Sequence, residues 1–138
     1  MKYWLAKTEP EEYGWDDLVA SEDAMWNGVR NYAARNNMQR MAKGDPVFIY
    51  HSGKKPAIVG IAEVSRPHYD DPADPTGTWS VVNVRAKQKL KHPVHLSTIK
   101  KNKVFAESSL VKNSRLSVHE LSEDQFNEVL SLSEKAIN

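Results

Sequence analysis

Between Trp79 and Lys91 the chain alternates with a period of two. Ser80, Val82, Val84, Ala86, Gln88 and Leu90 share one parity, and Trp79, Val81, Asn83, Arg85, Lys87 and Lys89 share the other. Successive side chains of a strand point to opposite faces, so the run predicts a long, half-buried strand with one basic face. Upstream, Val47–His51 reads as a strand, Gly53–Pro56 as a turn and Ala57–Val64 as the returning strand. The returning strand is apolar on both faces for most of its length, which places it centrally in a sheet. Residues 67–78 hold Pro67, Pro72, Pro75, Gly77 and three Asp, the composition of a surface loop.

Shorter elements fill the remainder. Lys2–Lys7 is strand-like, with Tyr3 and Trp4 side by side. A helix starts near Gly14, where Asp16 and Asp17 suit the positive helix end and Tyr13 and Leu18 form a hydrophobic staple. Trp26–Tyr32 reads as a loop entering a second helix. In that helix Ala34, Met38 and Met41 form one stripe, and Lys43-Gly44 supplies a basic last turn and a C′ glycine. Leu96–Lys100 suggests a short helix and Arg115–His119 a last strand. Ser122-x-x-Gln125 is a capping box, with Leu121 and Phe126 as its staple, opening a helix that buries Phe126, Val129 and Leu130. The order is α+β, short helices around a small barrel or strongly curved sheet.

A chain of 138 residues is expected to form one domain, spanning 1–138, because two cores of half this size would each be marginal. With no cysteine, a disulfide framework, a thiolate metal site and a cysteine nucleophile are excluded together. The same absence fits a reducing compartment. No apolar run reaches signal-peptide or membrane-span length, so a soluble, cytoplasmic protein with no membrane partner is expected. The formal net charge of +1 hides a segregation. Residues 1–24 carry −5, 25–66 carry +5, 67–84 carry −3, 85–115 carry +8 and 116–138 carry −4. Two basic blocks can make one positive face that attracts phosphate backbones; the alternative is that these lysines are solvated or protect a sheet edge.

No phosphate-binding glycine loop is present. His92 and His95, three apart on a strand, face opposite sides and lack a completing ligand, so no metal is expected. The segment Trp26–Asn37 is different. It gathers Trp26, Asn27, Arg30, Asn31, Tyr32, Arg35, Asn36 and Asn37 within twelve positions. Amides read base edges, arginines hold phosphates or stack, and aromatics offer flat apolar faces. The plain alternative is that the asparagines cap turns and the aromatics are core.

Five ordered segments carry a resemblance. They are Lys2–Pro10 (KYWLAKTEP), Trp26–Asn36 (WNGVRNYAARN), Gly44–Ser52 (GDPVFIYHS), Ile58–Val64 (IVGIAEV) and Ser114–Val118 (SRLSV). Together, over about Lys2 to Leu132, the chain resembles the EVE domain family. Thr8 stands where the family usually has Ser, and Ala33 where it usually has Gln, which removes a possible base-edge contact. The loop 67–78 is short for the family. The resemblance implies a PUA-like β pseudobarrel with flanking helices, related to YTH and ASCH domains. It also implies a pocket for a modified base, such as a methylated cytosine or adenine, in DNA or RNA, with no cofactor and no catalysis. On that reading Trp26 and Tyr50 are cage walls and Trp4 a third. Asn31, His51 and Ser52 are edge contacts beside Tyr32, while Arg30, Arg35 and Asn36 fix the backbone or the pocket wall. Lys87, Lys89 and Lys91 guide the strand, Trp15 and Trp79 only pack, and the protein is a monomer. Two rival classes remain: a small-molecule or protein-binding module with an incidental basic face, and an enzyme acting on RNA or nucleotides with His51 as general base.

Overall fold

The alternating run is the longest strand in the protein, and its partner is the next longest. In the computed structural model, which describes residues 1–135, β4 (Ala57–Asp70) and β5 (Ser80–His95) form one antiparallel hairpin. Around it lie β1 (Tyr3–Thr8), α1 (Trp15–Ser21), β2 (Ala24–Trp26), α2 (Tyr32–Gln39) and β3 (Pro46–His51). After it come α3 (Leu96–Lys100), a 3₁₀ turn at Lys103–Phe105, α4 (Ser109–Lys112), β6 (Val118–Leu121) and α5 (Glu123–Lys135). The six strands form one mixed sheet in the order β2-β5-β4-β3-β1-β6, in which only β1 and β3 run parallel. The α+β class and central place expected of Ala57–Val64 are therefore found.

Several boundaries differ from the sequence expectation. β4 continues through Pro67 to Asp70, so the loop shrinks to residues 71–79, because Tyr69 and Asp70 still pair with Val81 and Ser80. The turn is built by Asp74, whose carboxylate accepts the backbone N–H of Thr76, Thr78 and Trp79 at 2.8–2.9 Å. With the Thr76 hydroxyl as the largest cause, these bonds hold the Asp74 pKa down at about 2. Trp26 closes a short strand instead of opening a loop, because Ala24–Trp26 pairs with Val82–Val84. α2 ends at Gln39, before the expected Lys43-Gly44 stop. Asp45 competes for the chain there, accepting from Ala42 N–H and the Trp4 indole at 3.0 Å. β6 begins three residues later than expected.

The core has two parts, one on each face of the sheet. Trp4, Ala6, Val47, Ile49, Trp26, Val82 and Val84 belong to one, while Leu5, Phe48, Tyr50, Ile58 and Phe126 belong to the other. β5 is buried on both parities from Ser80 to Val82, so its basic character begins only at Arg85. The ladder between β4 and β5 is interrupted between Gly60–Lys89 and Ile58–Val94. α5 repairs it, since the Ser133 hydroxyl accepts from His92 N–H at 3.1 Å and donates to His92 C=O at 2.9 Å. The Ser122–Gln125 capping box that opens α5 is formed in both directions, at 3.0 and 3.1 Å.

α2 turns the open sheet into a pseudobarrel. It links the end strand β6 to β5, the neighbour of the other end strand β2, through Asn37 Nδ2 donating to Val118 C=O at 2.7 Å and Gln39 Nε2 donating to Ser80 Oγ at 3.0 Å. Ala34 and Met38, both fully buried, face the core between these clasps.

Candidate functional site

β2 pairs with β5 and so pins Trp26, and Gly28, at φ +79°, turns the chain sharply after it. L side chains rarely adopt that conformation, which explains the glycine. The returning segment, the end of β1, the end of α1 and Ser117 enclose a cleft of about 610 Å³. Its chemistry is mixed. Trp26 forms an apolar wall, mostly buried and met edge-on by Tyr13 at 6.3 Å. Thr8, Ser21 and Asn27 add polar groups, while Lys7 and Arg30 bring positive charge and Asp23 a negative one.

Each charge has a reason for its place. Lys7 Nζ donates to Ser114 C=O at 2.9 Å and sits 5.5 Å from the Tyr50 ring, and burial lowers its pKa. Asp23 accepts from the Ser65 hydroxyl and from Asn83 Nδ2, which keeps its carboxyl below the usual range, the Ser65 bond contributing most. Arg30 donates to Val29 C=O and to the buried Asp71 carboxylate, both at 3.0 Å, and its guanidinium lies 5.6 Å from the Trp79 ring. Trp79 in turn packs on Tyr32 with centroids 4.9 Å apart and planes tilted by 32°, and Arg35 lies 4.9 Å from the Tyr32 ring. Among the described residues no three His, Asp or Glu gather as metal ligands.

Of the expected site residues, Trp26 and Arg30 meet in the cleft, and Tyr32 and Arg35 stand beside it. Trp4 does not join them. It is fully buried and its indole N–H is spent on Asp45, so it is a core anchor. Tyr50 is buried in the core on the opposite sheet face, because strand alternation sends Ile49, not Tyr50, towards Trp26. His51 and Ser52 serve the backbone: His51 Nε2 accepts from Trp15 N–H at 3.0 Å, and Ser52 bonds Thr8 C=O through N–H and hydroxyl. Burial pushes the His51 imidazole below its ordinary pKa, with Asp16 opposing. Asn31 caps α2 by accepting Ala34 N–H at 2.9 Å, and Asn36 accepts from Arg35. Trp79, expected only to pack, is half-buried and central to the aromatic pair.

The lysine strip lies elsewhere. Lys87 pairs with Glu63 at 3.3 Å and Lys91 with Glu134 at 3.6 Å, leaving Lys89 without an ion pair among the described residues. Lys91 is eight positions beyond Asn83 on β5, ~27 Å along an extended strand. Lys7 and Thr8 are cleft residues that the expectation left out, although both lie within KYWLAKTEP; Asn27, counted in the Trp26–Asn37 segment but given no role, lines the cleft too. Asp23 had no local signal, since only the pairing of β2 with β5 brings it beside Asn83.

A family model described as EVE domain matches residues 2–132. The chain is 34% identical to thymocyte nuclear protein 1 of Gallus gallus, over 96% of this chain and 69% of that protein. The alignment runs over 167 residues, more than this chain contains, so the relative carries additional residues. Among solved structures, a Rhodopseudomonas palustris protein superimposes with a TM-score of 0.92 at 38% identity, covering 100% of this chain and 97% of the other. The human thymocyte nuclear protein 1, solved in complex with 5-methylcytosine-containing DNA, gives a TM-score of 0.88 at 30% identity, covering 99% and 100%. Matched by the family model over nearly its whole length, and by such a relative over almost all of it, the chain belongs to the EVE domain family.

Proposed function

We propose that the protein is a non-catalytic reader of a modified base, taking it from a DNA or RNA strand into the cleft beside Trp26. One observation carries the reading: an apolar wall stands next to two cations and a fixed carboxylate in a cleft of about 610 Å³. That volume falls in the range of small-ligand sites, roughly 300–1,000 Å³. Trp26 offers apolar surface to a ring and its methyl group. Asp23, an acceptor held ionised by Ser65 and Asn83, suits an exocyclic amine such as that of cytosine. Lys7 and Arg30 suit the flanking phosphates. The human relative solved with 5-methylcytosine DNA makes that base the first to test. The ring nitrogen of His51 that faces α1 is already occupied by Trp15 N–H, which argues against its use as a general base. The reading includes a monomer acting in the cytoplasm, with Lys89 as the member of the lysine strip that has no ion pair among the described residues.

The test is a binding screen of one oligonucleotide sequence carrying different base modifications, in DNA and RNA forms. The expected result is tighter binding of one marked strand than of the plain strand. Trp26→Ala should lower affinity for the marked strand about 5- to 150-fold, the factor that base–aromatic stacking of about 1–3 kcal/mol implies. The plain strand, held mainly through phosphates, should change much less. If no modification binds better than the plain base, the reading fails.

A further inference from the structure

Tyr32 is the most exposed aromatic side chain in the described structure. It leaves 61% of its surface in water, whereas every other aromatic residue is buried or half-buried. It is also held in place. Its ring packs against Trp79 at 4.9 Å, the two planes tilted by 32°, and lies beside the Arg35 guanidinium, itself 4.9 Å from the ring centre. Arg35 is immobilised in turn, donating through Nε and Nη2 to Asn36 Oδ1 and through Nη1 to Thr78 C=O. Trp79 is anchored from behind by the Asp74 turn and capped by Arg30, which the buried Asp71 fixes. Arg30 contacts Trp79, Trp79 contacts Tyr32 and Tyr32 contacts Arg35, and Arg30 is a wall of the cleft.

A braced aromatic side chain with most of its surface open to water is what an unstacked base needs, because every base has a π-face and ordering the platform in advance lowers the cost of binding. Two short steps, 5.6 Å from Arg30 to Trp79 and 4.9 Å from Trp79 to Tyr32, separate this ring from the cleft. Successive nucleotides are roughly 3.4 Å apart when stacked and farther when splayed, so the ring stands within a few nucleotides of a base in the cleft. The geometry points to Tyr32, braced by Trp79 and Arg35, as a stacking platform for a base flanking the one in the cleft, so that the ligand is a strand with unstacked neighbours and not a free nucleoside. This rests on the reading of the cleft given above.

The experiment uses the full chain and a short single-stranded DNA carrying one 5-methylcytosine, with 2-aminopurine placed in turn at each neighbouring position. The plain-cytosine strand and free 5-methyldeoxycytidine are the comparisons. In the wild type, binding should quench 2-aminopurine at one flanking position, and the nucleoside should bind far more weakly than the strand. Tyr32→Ala should abolish the quench and lower affinity for marked and plain strands by the same factor, about 5- to 150-fold, leaving their ratio unchanged. Tyr32→Phe, which keeps the ring, should retain both. A melting curve checks folding, which the exposed side chain makes insensitive to truncation. An unchanged affinity or a surviving quench in Tyr32→Ala overturns the platform while the marked-to-plain ratio still supports the cleft. A wild-type protein that binds both strands alike overturns the cleft reading and the platform with it.

Discussion

The Trp15 ring occupies the space that a side chain at Gly60 would need: a Cβ there would meet Trp15 Cε3 and Cη2 at 2.6 Å. Gly60 lies in the middle of the sheet, opposite Ile49 on β3 and Lys89 on β5, so neither partner can yield easily. Trp15 is the first residue of α1, and α1 ends at Ser21 on the cleft wall. Packing at Gly60 therefore sets where one side of the cleft stands. Gly60→Ala should destabilise the protein by about 1–3 kcal/mol, the cost of overpacking a core. Urea unfolding measures it, and an unchanged midpoint would show that α1 moves freely.

The second prediction concerns the opposite face. Phe126 stacks on Phe48 at 4.6 Å and packs against Tyr3 at 4.5 Å, which anchors α5. Phe126→Ala should cost about 3–5 kcal/mol in a denaturant titration. Because this core lies across the sheet from Trp26, the marked-to-plain binding ratio of the folded variant should hold.

The clasp made by α2 gives a third. Asn37→Ala removes the one side-chain donor that Val118 C=O has among the described residues, at a fully buried residue. A loss of about 1–3 kcal/mol is expected. Hydrogen exchange should then speed up in β6, whose end strand α2 covers.

His119 provides a pH dependence. Its Nδ1 faces Glu120 C=O at 3.2 Å, so that nitrogen carries the hydrogen, and Nε2 is buried without a partner among the described residues. Burial, aided by the Lys7 charge, drops its pKa from 6.5 to about 4. Between those values the unfolded chain binds the proton and the folded chain does not. Stability should therefore fall as pH drops from about 6.5 towards 4, by up to about 3 kcal/mol, and this contribution should level off below. Melts across that window test it, and His119→Leu should remove this part of the slope.

The lysine strip supplies the last. Replacing Lys87, Lys89 and Lys91 together with Gln should reduce the salt slope of strand binding by no more than about 0.7–0.9, the share of one phosphate contact. Glu63 and Glu134 already hold the other two ammonium groups. A drop near three contacts would return the whole strip to the interface.

Those parts of the fold that rest on near neighbours were legible in the sequence. The long β5 alternation, the apolar β4, the Ala34–Met38 stripe and the Ser122–Gln125 box all depend on residues within a few positions, where dihedral preference and side-chain period act directly. The crowded motif Trp26–Asn37 likewise marked a segment that lines the cleft, though not how its members divide between the cleft, the rim and helix capping. That division was made by tertiary structure. Trp4 became a core anchor because Asp45, 41 positions away, takes its indole N–H. Tyr50 lies away from the cleft because packing of the sheet fixed which parity of β3 faces Trp26. Asp23 entered the cleft through a contact with Asn83 spanning 60 positions. Periodicity specifies that a strand has two faces, but only the packed sheet decides what each face meets, because that choice is made by burial against segments far away in the chain.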